Sequence, residues 1–86
     1  MAQTMPKHVL ESLAKDIAAV LKSMGGSAHQ NLVVDCVAAM KRQRGETVNP
    51  PDLRQKIIEV FEHYRDLFVR PFGEGSYRWA LAGDLA

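Results

Sequence analysis

The sequence predicts one mainly α domain, three helices followed by a small C-terminal β-hairpin, and three observations carry that expectation. Apolar residues recur at three- and four-residue spacing in three separate stretches, the period of one face of an α-helix. After Leu67 the spacing falls to two, and Phe72-Gly73-Glu74-Gly75-Ser76 interrupts two short runs rich in β-branched and aromatic side chains, which is a hairpin pattern. The breaks between stretches, at Gly25-Gly26, Gly45 and Asn49-Pro50-Pro51, use residues that stop or start helices. Length agrees: 86 residues suffice for a single domain with one modest core, expected to be ordered from about residue 6 to residue 81.

Each element follows from its residues. Pro6 suits an early helical position, where a missing N–H costs nothing, with Thr4 or Met5 as the cap. Leu10, Leu13, Ile17, Val20, Leu21 and Met24 then make one apolar stripe, while Lys7, Glu11, Lys15 and Lys22 fall elsewhere. Gly25-Gly26 stops that helix. Ser27 with Gln30 fits a capping box for the second helix; alternatively, residues 26–28 form a very short strand and the helix starts near His29. Its stripe is Leu32, Val33, Cys36, Val37, Ala39 and Met40, and it ends within Lys41 to Gly45, where basic side chains suit the helix dipole. The third helix runs from Pro51 to about Asp66, with Leu53, Ile57, Val60, Phe61 and Tyr64 on one face.

In the hairpin, a three-residue loop Gly73-Glu74-Gly75 puts Gly75 in the left-handed conformation such loops require. That register pairs Phe72 with Ser76, Arg70 with Arg78, and Val69 with Trp79. Leu67, Val69, Tyr77, Trp79 and Leu81 then share the core face, both arginines take the other, and Ala82 to Ala86 reads as a tail. The expected core is Leu13, Ile17, Leu21, Leu32, Cys36, Ile57, Val60 and Phe61, capped by Trp79.

Composition narrows the function. The chain is 47% hydrophobic and 24% charged, as ordinary globular proteins are. Eleven basic and ten acidic residues leave a formal charge of +1, so the distribution of charge, not its sum, must argue for a nucleic-acid partner. No apolar run approaches the roughly 18 residues that span a bilayer, and no secretory signal opens the chain, so a cytoplasmic protein is expected. Cys36 sits among Val33, Val37 and Met40 and reads as a small buried hydrophobe. His8, His29 and His63 are too dispersed for a metal site, and His29 with Cys36 supplies two ligands where three or four are needed. Gly25-Gly26 ends a helix and does not open a phosphate loop. Ser12, Ser23, Ser27 and Ser76 have no recognisable histidine–acid company. No catalytic residue, metal or cofactor is expected, and an enzyme is not.

The order helix, Gly-rich break, helix, loop, helix, hairpin spans roughly Pro6 to Leu81. The run Gly25-Gly26-Ser27-Ala28-His29 before an apolar-periodic helix resembles the entry to the second helix of the winged helix-turn-helix family. The ending Leu67-Phe68-Val69-Arg70 and Gly75-Ser76-Tyr77-Arg78-Trp79-Ala80-Leu81 looks like that family's wing. The resemblance implies a short strand pairing with the hairpin, a third helix lying in the major groove of double-stranded DNA, and a wing on backbone or minor groove.

Carried onto this chain, the reading face is Asp52, Arg54, Gln55 and Lys56, where arginine and glutamine suit guanine and adenine edges. Lys41, Arg42 and Arg44 would hold phosphates, although basic residues gather at solvated helix ends in any case. Arg70 and Arg78 would form a basic wing. The implied role is transcription regulation or a related DNA-associated one, and a homodimer is a common route to specificity at this size. Glu59, Glu62 and Asp66 make the rest of helix three acidic and Glu74 sits at the wing tip, so DNA would meet only the N-terminal half of that helix. The competing reading is a winged helix that contacts another protein, through the acidic stripe or an apolar patch that includes Val34 and Ile58. Trp79 and Tyr77 could stack on bases in a single-strand binder, but the period-two pattern assigns both to the core.

Overall fold

A computed structural model describes residues 7–73 and 75–82, and among these the chain forms three helices and a three-stranded antiparallel sheet of order β1-β3-β2. The elements are α1 (Lys7–Ser23), β1 (Ser27–His29), α2 (Gln30–Gln43), α3 (Pro50–His63), β2 (Phe68–Val69) and β3 (Arg78–Leu81). This is the expected fold class. The expected cap at Thr4 or Met5, the early Pro6, Glu74 at the tip and the tail beyond Ala82 lie outside the described residues.

The stripe of α1 buries Leu10, Leu13, Ile17, Val20 and Leu21 as its spacing requires, whereas Met24, past the helix end, stays exposed. Gly25 (φ 84°) and Gly26 (φ 106°) then turn the chain through conformations that side chains disfavour, and the Gly26 N–H returns to the Leu21 carbonyl at 2.8 Å. That reversal aims the chain into β1.

The short strand, not the capping box, opens α2. His29 is the N-cap, and its Nδ1 accepts from the Asn31 N–H at 3.0 Å. Gln30 points inward instead of capping: its Oε1 accepts from Trp79 Nε1–H at 3.3 Å, and its own N–H donates to the Tyr77 carbonyl at 2.7 Å. The first bond occupies the side-chain oxygen of Gln30 and the second its backbone N–H, so each of these two groups has a partner.

The core face of α2 is turned from the expected one. Val33, Val34, Val37 and Ala38 are buried, whereas Leu32 is 43% exposed and Cys36 only half-buried. The helix is apolar around enough of its circumference to admit either stripe, and packing against both α1 and α3 selects the inner one. Val34 therefore belongs to the core and not to a surface patch.

In α3, Asn49 caps the helix by accepting from the Asp52 N–H at 3.1 Å, with Pro50 and Pro51 in the first turn. The helix ends at His63, short of Asp66, because the Tyr64 carbonyl takes the N–H groups of Leu67 and Phe68 at 3.0 Å each and turns the chain.

The hairpin register is shifted by one residue from the expected one. Phe68 faces Leu81 and Val69 faces Ala80, so Phe68, not Val69, points into the core. The phenyl ring of Phe68 meets Phe61 edge-on at 5.4 Å, and Trp79 stacks on Phe61 at 4.1 Å. A phenyl ring fills that site where a valine would leave a void. The connection is also longer than three residues: Gly73 N–H bonds the Arg70 carbonyl at 3.2 Å and Ser76 N–H bonds the Gly73 carbonyl at 3.1 Å. Gly73, at φ 90°, takes the left-handed position assigned to Gly75, which is not among the positive-φ glycines. Trp79 is buried as expected. Tyr77 is not: it precedes β3 and is 65% exposed. Arg70 does not lie across the sheet from Trp79 either, since its guanidinium sits 4.5 Å over the indole.

Candidate functional site

The eight residues expected to touch DNA, Lys41, Arg42, Arg44, Arg54, Gln55, Lys56, Arg70 and Arg78, divide between the two ends of α2 and the wing. Asn31 near one end and Arg44 past the other are about 20 Å apart along the helix axis, at ~1.5 Å per residue.

At the C-terminal end, the cations meet carboxylates. Asp16 sits on α1 beside buried Leu13 and Ile17 with its side chain only 11% exposed, so the carboxylate needs a partner. Arg44 supplies a bidentate one, with Nη1 and Nη2 donating at 3.1 and 2.8 Å. Its Nε also donates to Glu46 at 2.8 Å, and Lys41 Nζ donates to the other Glu46 oxygen at 3.1 Å. Asp16 first, then Glu46, hold the proton on Arg44 more firmly than usual. Lys41, and then Arg44, hold the Glu46 carboxyl below its ordinary range. Lys56 pairs with Asp52 one turn earlier in α3 at 2.9 Å. Lys41, Glu46, Asp52 and Lys56 line an open cleft of about 280 Å³ between α1, α2 and the start of α3. Three of the expected cations are thus neutralised locally. Arg42 is exposed and outside these pairs.

At the N-terminal end, the partners are neutral. Arg54 Nη1 donates to Asn31 Oδ1 at 2.6 Å, joining α3 to α2. Arg78 Nε donates to Ser27 Oγ at 3.1 Å, and its Nη2 to the Ser27 carbonyl at 3.4 Å, joining β3 to β1. Arg78 also pairs in register with His29, two residues from Asn31. Ser27, His29, Asn31, Arg54 and Arg78 therefore form one polar tract, beside exposed Gln55. No described carboxylate pairs with either arginine. Their orientation is fixed while their charge is kept.

Arg70 stands apart, over Trp79, lining a shallow cleft with Arg65, Phe68 and Val69. Arg65 also alters the acidic stripe of α3, since it donates to both oxygens of Glu62 at 2.7 and 3.0 Å.

Sequence reasoning missed Ser27 and Asn31. Their bonds to Arg78 and Arg54 cross 51 and 23 positions, beyond any local pattern. The only signal was Gln30-Asn31, a polar pair at the head of a helix whose next residues, Leu32, Val33 and Val34, are apolar. Among the described residues, no three or more His, Cys, Asp or Glu side chains gather as a metal site. Among the same residues, no helix is long and apolar enough to cross a membrane. No protein-family model, curated protein or solved structure matches the chain.

Proposed function

We propose that the chain is a winged-helix module that binds double-stranded DNA, in transcription regulation or a related role. The observation that carries this reading is the tract at the head of α2, where Arg54 and Arg78 are oriented by Asn31 and Ser27 with their charge uncancelled. The N-terminal half of α3 enters the major groove, with Arg54 and Gln55 reaching base edges. Arg78 and Arg42 meet phosphates, which fix register without reading sequence. Lys41, Arg44 and Lys56 support the fold more than the contact, because their charge is already matched.

Duplex titration by fluorescence anisotropy at low salt tests this. With the two phosphates of Arg78 and Arg42 engaged, log affinity should fall against log salt at a slope of about −2. Replacing Arg78 with glutamate should weaken binding to every duplex and flatten the slope by roughly one. Arg54→Ala should instead relax preference at one base position, by about 1–3 kcal/mol. No binding of any duplex at tens of micromolar folded protein would favour the protein-contact reading, which the exposed wing side chains Val69, Phe72 and Tyr77 also suit.

A further inference from the structure

The wing divides its aromatic side chains in a way the core does not require. Trp79 is buried between Phe61 and the Arg70 guanidinium, whereas Phe72 is 73% exposed and Tyr77 65% exposed. The two exposed rings flank one turn, closed where the Ser76 N–H donates to the Gly73 carbonyl at 3.1 Å. Val69, also exposed, extends the apolar surface along the same hairpin. Large aromatic rings held out on a turn leave their burial free energy uncollected, which marks a contact surface.

The charge around them says what the contact is. Tyr77 adjoins Arg78 in sequence and lies 6.3 Å from the His29 ring, so it borders the tract of Arg54 and Arg78 that no described carboxylate neutralises. Flat apolar faces beside uncancelled guanidinium groups match a ligand with flat faces of its own and a polyanionic backbone. We propose that Phe72 and Tyr77 stack on exposed nucleobases, and that the ligand is a duplex end or a junction between duplex and single strand. This rests on the DNA-binding reading above. An uninterrupted duplex hides its base faces in the stack, so only an end or an unpaired stretch offers them to the rings. The duplex part lies on the N-terminal half of α3 and the unpaired bases reach the wing.

Two DNA probes separate the claims: a dumbbell closed at both ends by non-nucleotide linkers, so that it holds no unpaired base, and the same duplex opened into a fork with single-stranded tails. The fork should bind about a hundredfold more tightly than the dumbbell, since each of the two stacked bases contributes about tenfold. Phe72→Ala and Tyr77→Ala should each remove about tenfold of that preference and leave dumbbell affinity unchanged. Both residues are exposed, so folding should persist, which circular dichroism checks. Phe72→Leu keeps an apolar side chain without a ring and should behave like alanine. A 2-aminopurine placed at the first unpaired position should change its emission with the parent protein and not with Phe72→Ala. Equal affinity for fork and dumbbell, or full function in Phe72→Leu, would overturn base stacking while leaving duplex binding intact. Failure to bind either probe would overturn the DNA-binding reading, and the stacking inference with it.

Discussion

The two ends of α2 carry cations of the same kind in opposite electrostatic company. At the loop end, Lys41 and Arg44 meet Asp16 and Glu46, and nearby Lys56 meets Asp52. At the sheet end, Arg54 and Arg78 lean on an amide and a hydroxyl. A chain with a net charge of +1 can therefore present an uncompensated positive surface, because no described carboxylate pairs with Arg54 or Arg78. Alpha three makes the separation. Asp52 and Lys56 are one turn apart on the side facing the cleft, while Arg54, about 200° around at ~100° per residue, reaches Asn31 on the other side.

The largest expected effect asks whether the two ends are separable. Trp79 stacks on Phe61 and donates to Gln30, the first residue of α2, so it fastens the sheet end. Trp79→Ala should cost about 3–5 kcal/mol in urea unfolding. Amide exchange in that variant should accelerate more at residues 27–33 than at residues 38–44. Equal acceleration at both ends would make them one cooperative unit and break the comparison.

The two ends were unequally legible in the sequence. Helical periods, Gly25-Gly26 and the proline entry placed all three helices, and the basic run before Gly45 was plain in the chain. The carboxylate that matters most to Arg44, however, lies on α1 at Asp16, 28 positions away. Sequence spacing carries no trace of that pairing. The wing was misread for a different reason. Period two determines which residues alternate but not which set faces inward, and with Phe68 and Val69 both apolar either register satisfied the pattern. Only the fit of Phe68 beside Phe61 chooses between them, and that choice exposes Val69. For α2, the apolar residues were too many to define one stripe, so Leu32 and Val34 exchanged places between surface and core.

An intermediate effect sharpens the description of the sheet end. Gly73→Ala should destabilise the hairpin by about 1–2 kcal/mol, because φ 90° brings a β-carbon against its own backbone whatever space surrounds it. Gly75 lacks that conformation and has nothing within 4 Å of an added β-carbon. Its alanine variant should stay within about 0.5 kcal/mol of the parent in thermal unfolding. The reverse ranking would restore the three-residue loop and move Phe72 and Tyr77 off the ends of their turn.

The smallest effect lies at the loop end and turns on Glu46. Lys41 and then Arg44 lower its pKa in the folded chain below the ordinary 4.5. The unfolded chain therefore binds this proton first as pH falls, and the stabilisation by Glu46 is present above about 4.5 and lost as pH drops through the lower folded value. Arg44 shifts the opposite way, upward from its already strongly basic value, so its own contribution is complete at neutral and acid pH and adds no slope there. Comparing the parent with Glu46→Gln, the gap in urea midpoint should hold steady from neutrality down to about pH 5, then close under more acid conditions. Exposure and solvent screening keep that gap small. The same variant also releases Lys41 and one contact of Arg44. If the loop end borders the DNA path, duplex affinity at neutral pH should rise a few-fold and the salt slope steepen, as added phosphate contacts require. If affinity does not move, these cations face away from the nucleic acid, and the contact belongs to the sheet end alone.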